Sequence, residues 1–183
     1  FSNIGKIPGK RPAGLSFRLE LRGSGAAATV PEWGKLLQAC GFGVNTLKSM
    51  NIGAITNGPF QHGETITGGT SAAKGRVVIN TANGATAILF VTISGTFVSG
   101  EVITGGTSTA TAATSSVPST VGNEFKPISD SIPSLTQGCY EDGLRKLLKG
   151  CRGKVKFGFK SGEPVLLDFD FQCVEAVVAD TAF

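Results

Sequence analysis

The clearest pattern in the chain is a strict alternation of apolar and polar positions in its last third. Val155, Phe157 and Phe159 alternate with Lys154, Lys156 and Lys160. Val165, Leu167, Phe169, Phe171 and Cys173 then stand opposite Asp168, Asp170 and Gln172. Side chains alternate faces along a strand, so each run predicts a half-buried antiparallel strand. Lys160-Ser161-Gly162-Glu163-Pro164 reads as the turn between them. The expected product is a hairpin with one apolar and one charged face, and Phe157, Phe159, Phe169 and Phe171 are expected core anchors.

The same reading applied upstream predicts a first strand over residues 15–22. There Phe17, Leu19 and Leu21 oppose Ser16, Arg18, Glu20 and Arg22. Residues 29–40 predict the one convincing helix. Thr29 is placed to cap it, Pro31 and Glu32 suit its first turn, and Gly41 suits the position just past its end. Trp33, Leu36, Leu37 and Cys40 recur at i, i+3, i+4 and i+7, an apolar stripe for a sheet to cover. Trp33, Leu36 and Leu37 are therefore also expected core anchors.

Between these parts, residues 59–118 carry almost no charge and repeat themselves. FQHGETITGGTS at 60–71 returns as FVSGEVITGGTS at 97–108, 37 positions on. Strand-like runs at 76–80 and 85–93 flank an Asn83-Gly84 turn. Two such β-units facing each other predict a small barrel or sandwich. GETITGGTS lacks the Gly-Lys-Ser/Thr ending of a phosphate loop, is followed by no good helix and occurs twice, so phosphate binding is not expected. His62 is expected in an exposed turn.

Residues 1–11 read as an extended arm, 119–133 as a loop returning to the C-terminal strands, and 174–183 as a last strand end or tail. Asp142-Gly143 signals a hairpin between 135–141 and 144–148. Leu144, Leu147 and Leu148 equally fit helical spacing, and both readings stand. Lys149 to Arg152 is read as a turn.

Composition adds exclusions. There are 26 glycines among 183 residues, which with the Thr, Ser, Val and Phe content favours strands and turns. Lys and Arg number 17 against 13 Asp and Glu, a net +4 spread without a dense basic run, which argues against a nucleic-acid-binding footprint. No run of 18 apolar residues predicts a membrane helix. No signal peptide is legible, and the chain begins at Phe1 rather than Met, as a processed or longer product would. The four cysteines, Cys40, Cys139, Cys151 and Cys173, have no CxxC spacing, so neither a metal nor another cofactor is expected. They are read as reduced, buried small hydrophobes, with a Cys139–Cys151 bridge as the alternative. No nucleophile–base pair or paired carboxylates mark an enzyme.

Three stretches carry a family resemblance. GLSFRLELRG is followed by PEWGKLLQACGF; a YEDG turn leads through LLKGCRGKVKFGFKSGEP; and VLLDFDF closes the set. Together they resemble the tail tube proteins of long-tailed, siphovirus-like bacteriophages, over about half the chain. The resemblance implies a mainly β fold, an antiparallel β-sandwich or barrel flanked by one short helix. It implies six subunits in a ring, rings stacked into a tube, other tail proteins at its ends and DNA passing transiently through its lumen. The localisation implied is the virion tail, after assembly in the host cytoplasm. Residues 1–58 and 119–183 would form the tail-tube domain, and 59–118 an inserted all-β domain on its outer surface. A passage should not grip phosphate, so Asp168 and Asp170 are expected to face the lumen more than Lys154 and Lys156, with plain solvated faces or inter-subunit salt bridges as the alternative. The competing readings are another virion part, such as a capsid decoration protein or head–tail connector, and a carbohydrate-binding module built from the repeats. The last has only Phe60, Phe90 and Phe97 to offer a sugar.

Overall fold

The computed structural model describes residues 12–26, 29–141 and 144–180. The expected N-terminal arm, the Asp142-Gly143 turn and residues 181–183 lie outside them. In chain order the elements are β1 (Ala13–Glu20), α1 (Trp33–Ala39), β2 (Phe42–Asn51), β3 (Thr65–Gly68), β4 (Lys74–Val77), β5 (Ala87–Ser94), β6 (Val102–Gly105), β7 (Thr111–Ala113), β8 (Ser119–Pro127), β9 (Leu135–Glu141), β10 (Leu144–Gly158), β11 (Leu166–Cys173) and β12 (Glu175–Asp180). The described residues are mainly β with one short helix, in two antiparallel sheets, as the alternation predicts.

It divides into two compact units. The first holds Phe1–Gly23, Pro31–Gly43 and Lys126–Phe183; the second holds Ser24–Val30 and Val44–Phe125. The second unit thus runs wider than the repeat segment 59–118. The reason is pairing: β2 hydrogen-bonds to β5 from Leu47↔Val91 to Asn51↔Ala87, which draws 44–58 in with the repeats.

In the first unit the strand order is β1-β11-β10-β12, with β9 also paired to β10. β11 follows the predicted alternation residue by residue: Leu167, Phe169, Phe171 and Cys173 are buried, while Asp168 and Asp170 are only half-buried. Phe17 of β1 meets Phe169 and Phe171 with ring centroids 5.6 and 6.0 Å apart. Each buried Phe contributes about 1.5–3 kcal/mol by leaving water.

Several local expectations change, among them the loop expected over 119–133, whose first part is strand β8. The helix starts at Trp33, not Thr29; Glu32 occupies the N-cap in a helical conformation and makes no side-chain cap bond. Its C-terminal end is as expected, with Gly41 at φ +90°. Of the helical stripe, Leu37 is buried, whereas Trp33 and Leu36 are half-buried. Trp33 Nε1 donates to the carbonyl of Arg22 at 2.6 Å, a tether as much as an anchor. Residues 144–148 are strand, not helix, and Lys149 to Arg152 is no turn. β10 runs through it for 15 residues, its pairing to β9 shifting register between Leu148 and Cys151 around Gly150 at φ +65°. Cys151 and Cys173 lie on neighbouring strands and form a disulfide, so neither the fully reduced reading nor the Cys139–Cys151 pairing holds. Cys40 and Cys139 are free.

The second unit carries a seven-stranded sheet in the order β7-β6-β3-β4-β5-β2-β8. Its core gathers Met50, Ile52, Phe60, Ile66, Val77, Ile88, Phe90, Phe97 and Ile103. Phe60 and Phe97, equivalent in the two repeats, are both buried here.

Candidate functional surface

The first unit presents a charged sheet face built from three strands. The registers place Ser16, Asp170 and Lys154 in one cross-strand row, and Arg18, Asp168 and Lys156 in the next. Residues directly opposite on antiparallel strands share a face. The lysines of β10 and the aspartates of β11 therefore stand side by side. The sequence reading expected Asp168 and Asp170 to face a lumen more than Lys154 and Lys156 do. That reading treated the two strands as independent, whereas their pairing ties the two charge rows together.

The rows are ion-paired. Arg18 grips Asp168 with two hydrogen bonds, one from Nε to Oδ1 and one from Nη2 to Oδ2 at 3.2 Å. Ser16 Oγ donates to Asp170 Oδ1 at 3.0 Å, and Lys154 Nζ lies 3.4 Å from Asp170 Oδ2. The hydrogen bond from Arg18 holds the Asp168 carboxyl below its usual range, helped by the charges of Arg18 and Lys156; the same bond raises the pKa of Arg18. An open groove of about 700 Å³ follows these rows. Its groups are solvent-exposed ion pairs, a class of contact that is weak and screened by salt.

The opposite face of the same sheet is apolar, and it outruns its cover. Phe169 and Phe171 are buried, but Phe157 is 37% exposed and Phe159 74% exposed. These two are not core anchors. Their rings stack with centroids 6.2 Å apart, and Phe42 meets Phe157 edge-on at 6.3 Å. Across the sheet, Leu19 and Leu21 are also over a third exposed. Leu19 pairs with Leu167, which pairs with Phe157, and the Leu21 N–H donates to Val165 O at 2.8 Å. The hairpin end thus bears an apolar strip from β1 to β10, exposed at its flanks (Leu19, Leu21, Phe157 and Phe159) and buried at its middle, Leu167.

In the second unit the repeats make a reciprocal clasp. β3 pairs with β6 through Ile66↔Gly105, Thr67↔Thr104 and Gly68↔Ile103. Glu64 accepts hydrogen bonds from the N–H groups of Thr107 (3.1 Å) and Ser108 (2.9 Å), the Ser108 hydroxyl (2.9 Å) and the Gln61 N–H (2.6 Å). Glu101 accepts the equivalent set from Thr70 (3.2 Å), Ser71 (3.0 Å), the Ser71 hydroxyl (2.9 Å) and Val98 (2.8 Å). Each GGTS loop therefore does bind an anion, the carboxylate of the other copy. Burial pushes both carboxyls up, but these hydrogen bonds outweigh it and hold each below its ordinary value. With their lone pairs spent on four donors, neither glutamate is a candidate acid or base. The sequence did hold a signal: these are the only two carboxylates between residues 59 and 118, at equivalent positions.

No family model matches the chain, and no curated protein or solved structure matches it. Among the described residues, no cluster of three or more His, Cys, Asp or Glu is placed to hold a metal ion, and no helix is long and apolar enough to cross a membrane. His62 is exposed, as expected of a turn histidine. The surfaces that remain are the charged face and the apolar hairpin end of the first unit.

Proposed function

We propose that this protein is a structural virion subunit, the tail tube protein of a long-tailed bacteriophage, which self-assembles into stacked hexameric rings around a DNA passage. The observation that carries this reading is the apolar strip at the hairpin end, with Phe159 74% exposed on a sheet whose other face is charged. An apolar strip rimmed by charge is what a protein–protein contact needs, because water leaves it when a neighbour docks. The β1 edge of the same sheet has no strand partner among the described residues, and such edges recruit neighbouring chains. In the tube, the mixed charged face would meet DNA weakly, since each aspartate beside a cation offsets its pull on phosphate. The role is non-enzymatic, and residues 59–118 decorate the outer surface. Size-exclusion chromatography with light scattering tests the reading: the expected mass is six times the 18.8 kDa chain or larger. A strict monomer at high concentration would sink it.

A further inference from the structure

The first unit contains a bend where one long strand changes partners. β10 pairs with β12 up to Lys149↔Glu175 and with β11 from Arg152↔Gln172 onward. Between these ladders stand Gly150, at φ +65°, and Val174, whose N–H donates to Lys149 O at 3.0 Å. A Cβ on Gly150 would come within 3.1 Å of Val174 Cγ2, so glycine is what lets the strands close up here. β10 and β11–β12 are thus a single hairpin with a bend at Gly150 and Val174. The Cys151–Cys173 disulfide closes it immediately beside that bend. Both cysteines are buried, at 0% and 4% exposure.

We propose that this disulfide is a redox-operated lock on the bend. Oxidised, it ties β10 to β11 where backbone pairing is thinnest, and the base of the hairpin (144–149 with 175–180) is held to its tip. Reduced, the base opens more often while the tip ladder stays paired. A dithiol reductant supplies the chemistry. Its first thiolate attacks one protein sulfur, the Cys151–Cys173 bond breaks and a mixed disulfide forms. Its second thiolate then displaces that sulfur, leaving two cysteine thiols, protonated from solvent, and the reductant as a cyclic disulfide. Two electrons pass to the protein. Because both sulfurs are buried, attack waits for the bend to open, and the rate of reduction should level off as reductant is raised. Burial pushes the Cys40 thiol up to about 11, so that free cysteine stays protonated and does not attack the bond at neutral pH. The lock does not depend on what the protein assembles into.

The test uses the full chain. Denatured and alkylated without reductant, it should take up two labels, on Cys40 and Cys139; after dithiothreitol it should take up four. Four labels without reductant would overturn the proposal. Amide hydrogen exchange of the reduced protein should then be roughly tenfold faster at 144–149 and 175–180, and unchanged in β1 and β5. Exchange that is unaltered, or faster everywhere, would also overturn it. A Cys151→Ser/Cys173→Ser variant should show the reduced pattern with no reductant present. The oxidised pattern in that variant would count against the lock.

Discussion

Glu64 is hydrogen-bonded to both the N–H and the hydroxyl of Ser108, 44 residues further along the chain. Glu101 makes the matching pair of bonds to Ser71. The two repeats are thereby each completed by the other, and the consequences are measurable.

Removing either carboxylate should cost about 1–3 kcal/mol, because it deletes charge-assisted bonds and leaves part-buried N–H groups without their acceptor. Glu64→Ala and Glu101→Ala should cost similar amounts, given their equivalent partners. Urea unfolding checks this. A loss below about 0.5 kcal/mol, the range of ordinary surface changes, would contradict the clasp.

The clasp also sets a pH dependence. Both carboxyls titrate below their ordinary 4.5 in the folded protein. A folded value below the unfolded one means the stabilisation is fully present above about pH 4.5 and is lost as pH falls through the folded value. The urea midpoint of the wild type should fall below pH 4.5, and that of the Glu64→Gln/Glu101→Gln variant should fall less. Equal acid slopes would count against the clasp as the cause.

Gly68 and Gly105 are the floor of the clasp. A Cβ on Gly68 would lie 2.4 Å from Glu101 Oε2, and one on Gly105 would lie 2.5 Å from Ser108 Oγ. Alanine at either position should destabilise by about 1–3 kcal/mol through overpacking. Thermal unfolding reads this out, with Gly122→Ala, where an added Cβ meets nothing within 4 Å, as the control.

The phenylalanines of the C-terminal hairpin should separate into two classes. Phe171→Ala removes a fully buried ring and should cost about 3–5 kcal/mol. Phe159→Ser should change stability by no more than about 0.5 kcal/mol, as surface changes do, yet weaken self-association. Equal costs in the two variants would restore Phe159 to the core.

Much of this fold was legible because one face of each strand is apolar. β11 shows its burial in its own alternation, and the repeats announce a paired β-unit. Long-range pairing was not legible. Nothing local says that Lys154 stands opposite Asp170, that Cys151 meets Cys173, or that Glu64 reaches Ser108, since each depends on register between distant segments. The helix start was missed because Thr29 and Pro31 are good start signals that α1 does not use. Phe157 and Phe159 were misread because alternation marks an apolar face, not how far its cover extends.

The insertion reading needs the observed bounds. Gly43 and Lys126 approach closely, with the Gly43 Cβ position 3.8 Å from Lys126 O. Residues 44–125 can therefore be exchanged for a short Gly/Ser linker. The shortened chain should unfold cooperatively and still assemble; a shortened chain that folds but stays monomeric would refute decoration.

The most direct measurement is electron microscopy of the purified full chain. Sixfold rings, and tubes built from them, are the expected result. Trimers or dodecamers, pointing to a decoration protein or a connector, would contradict it.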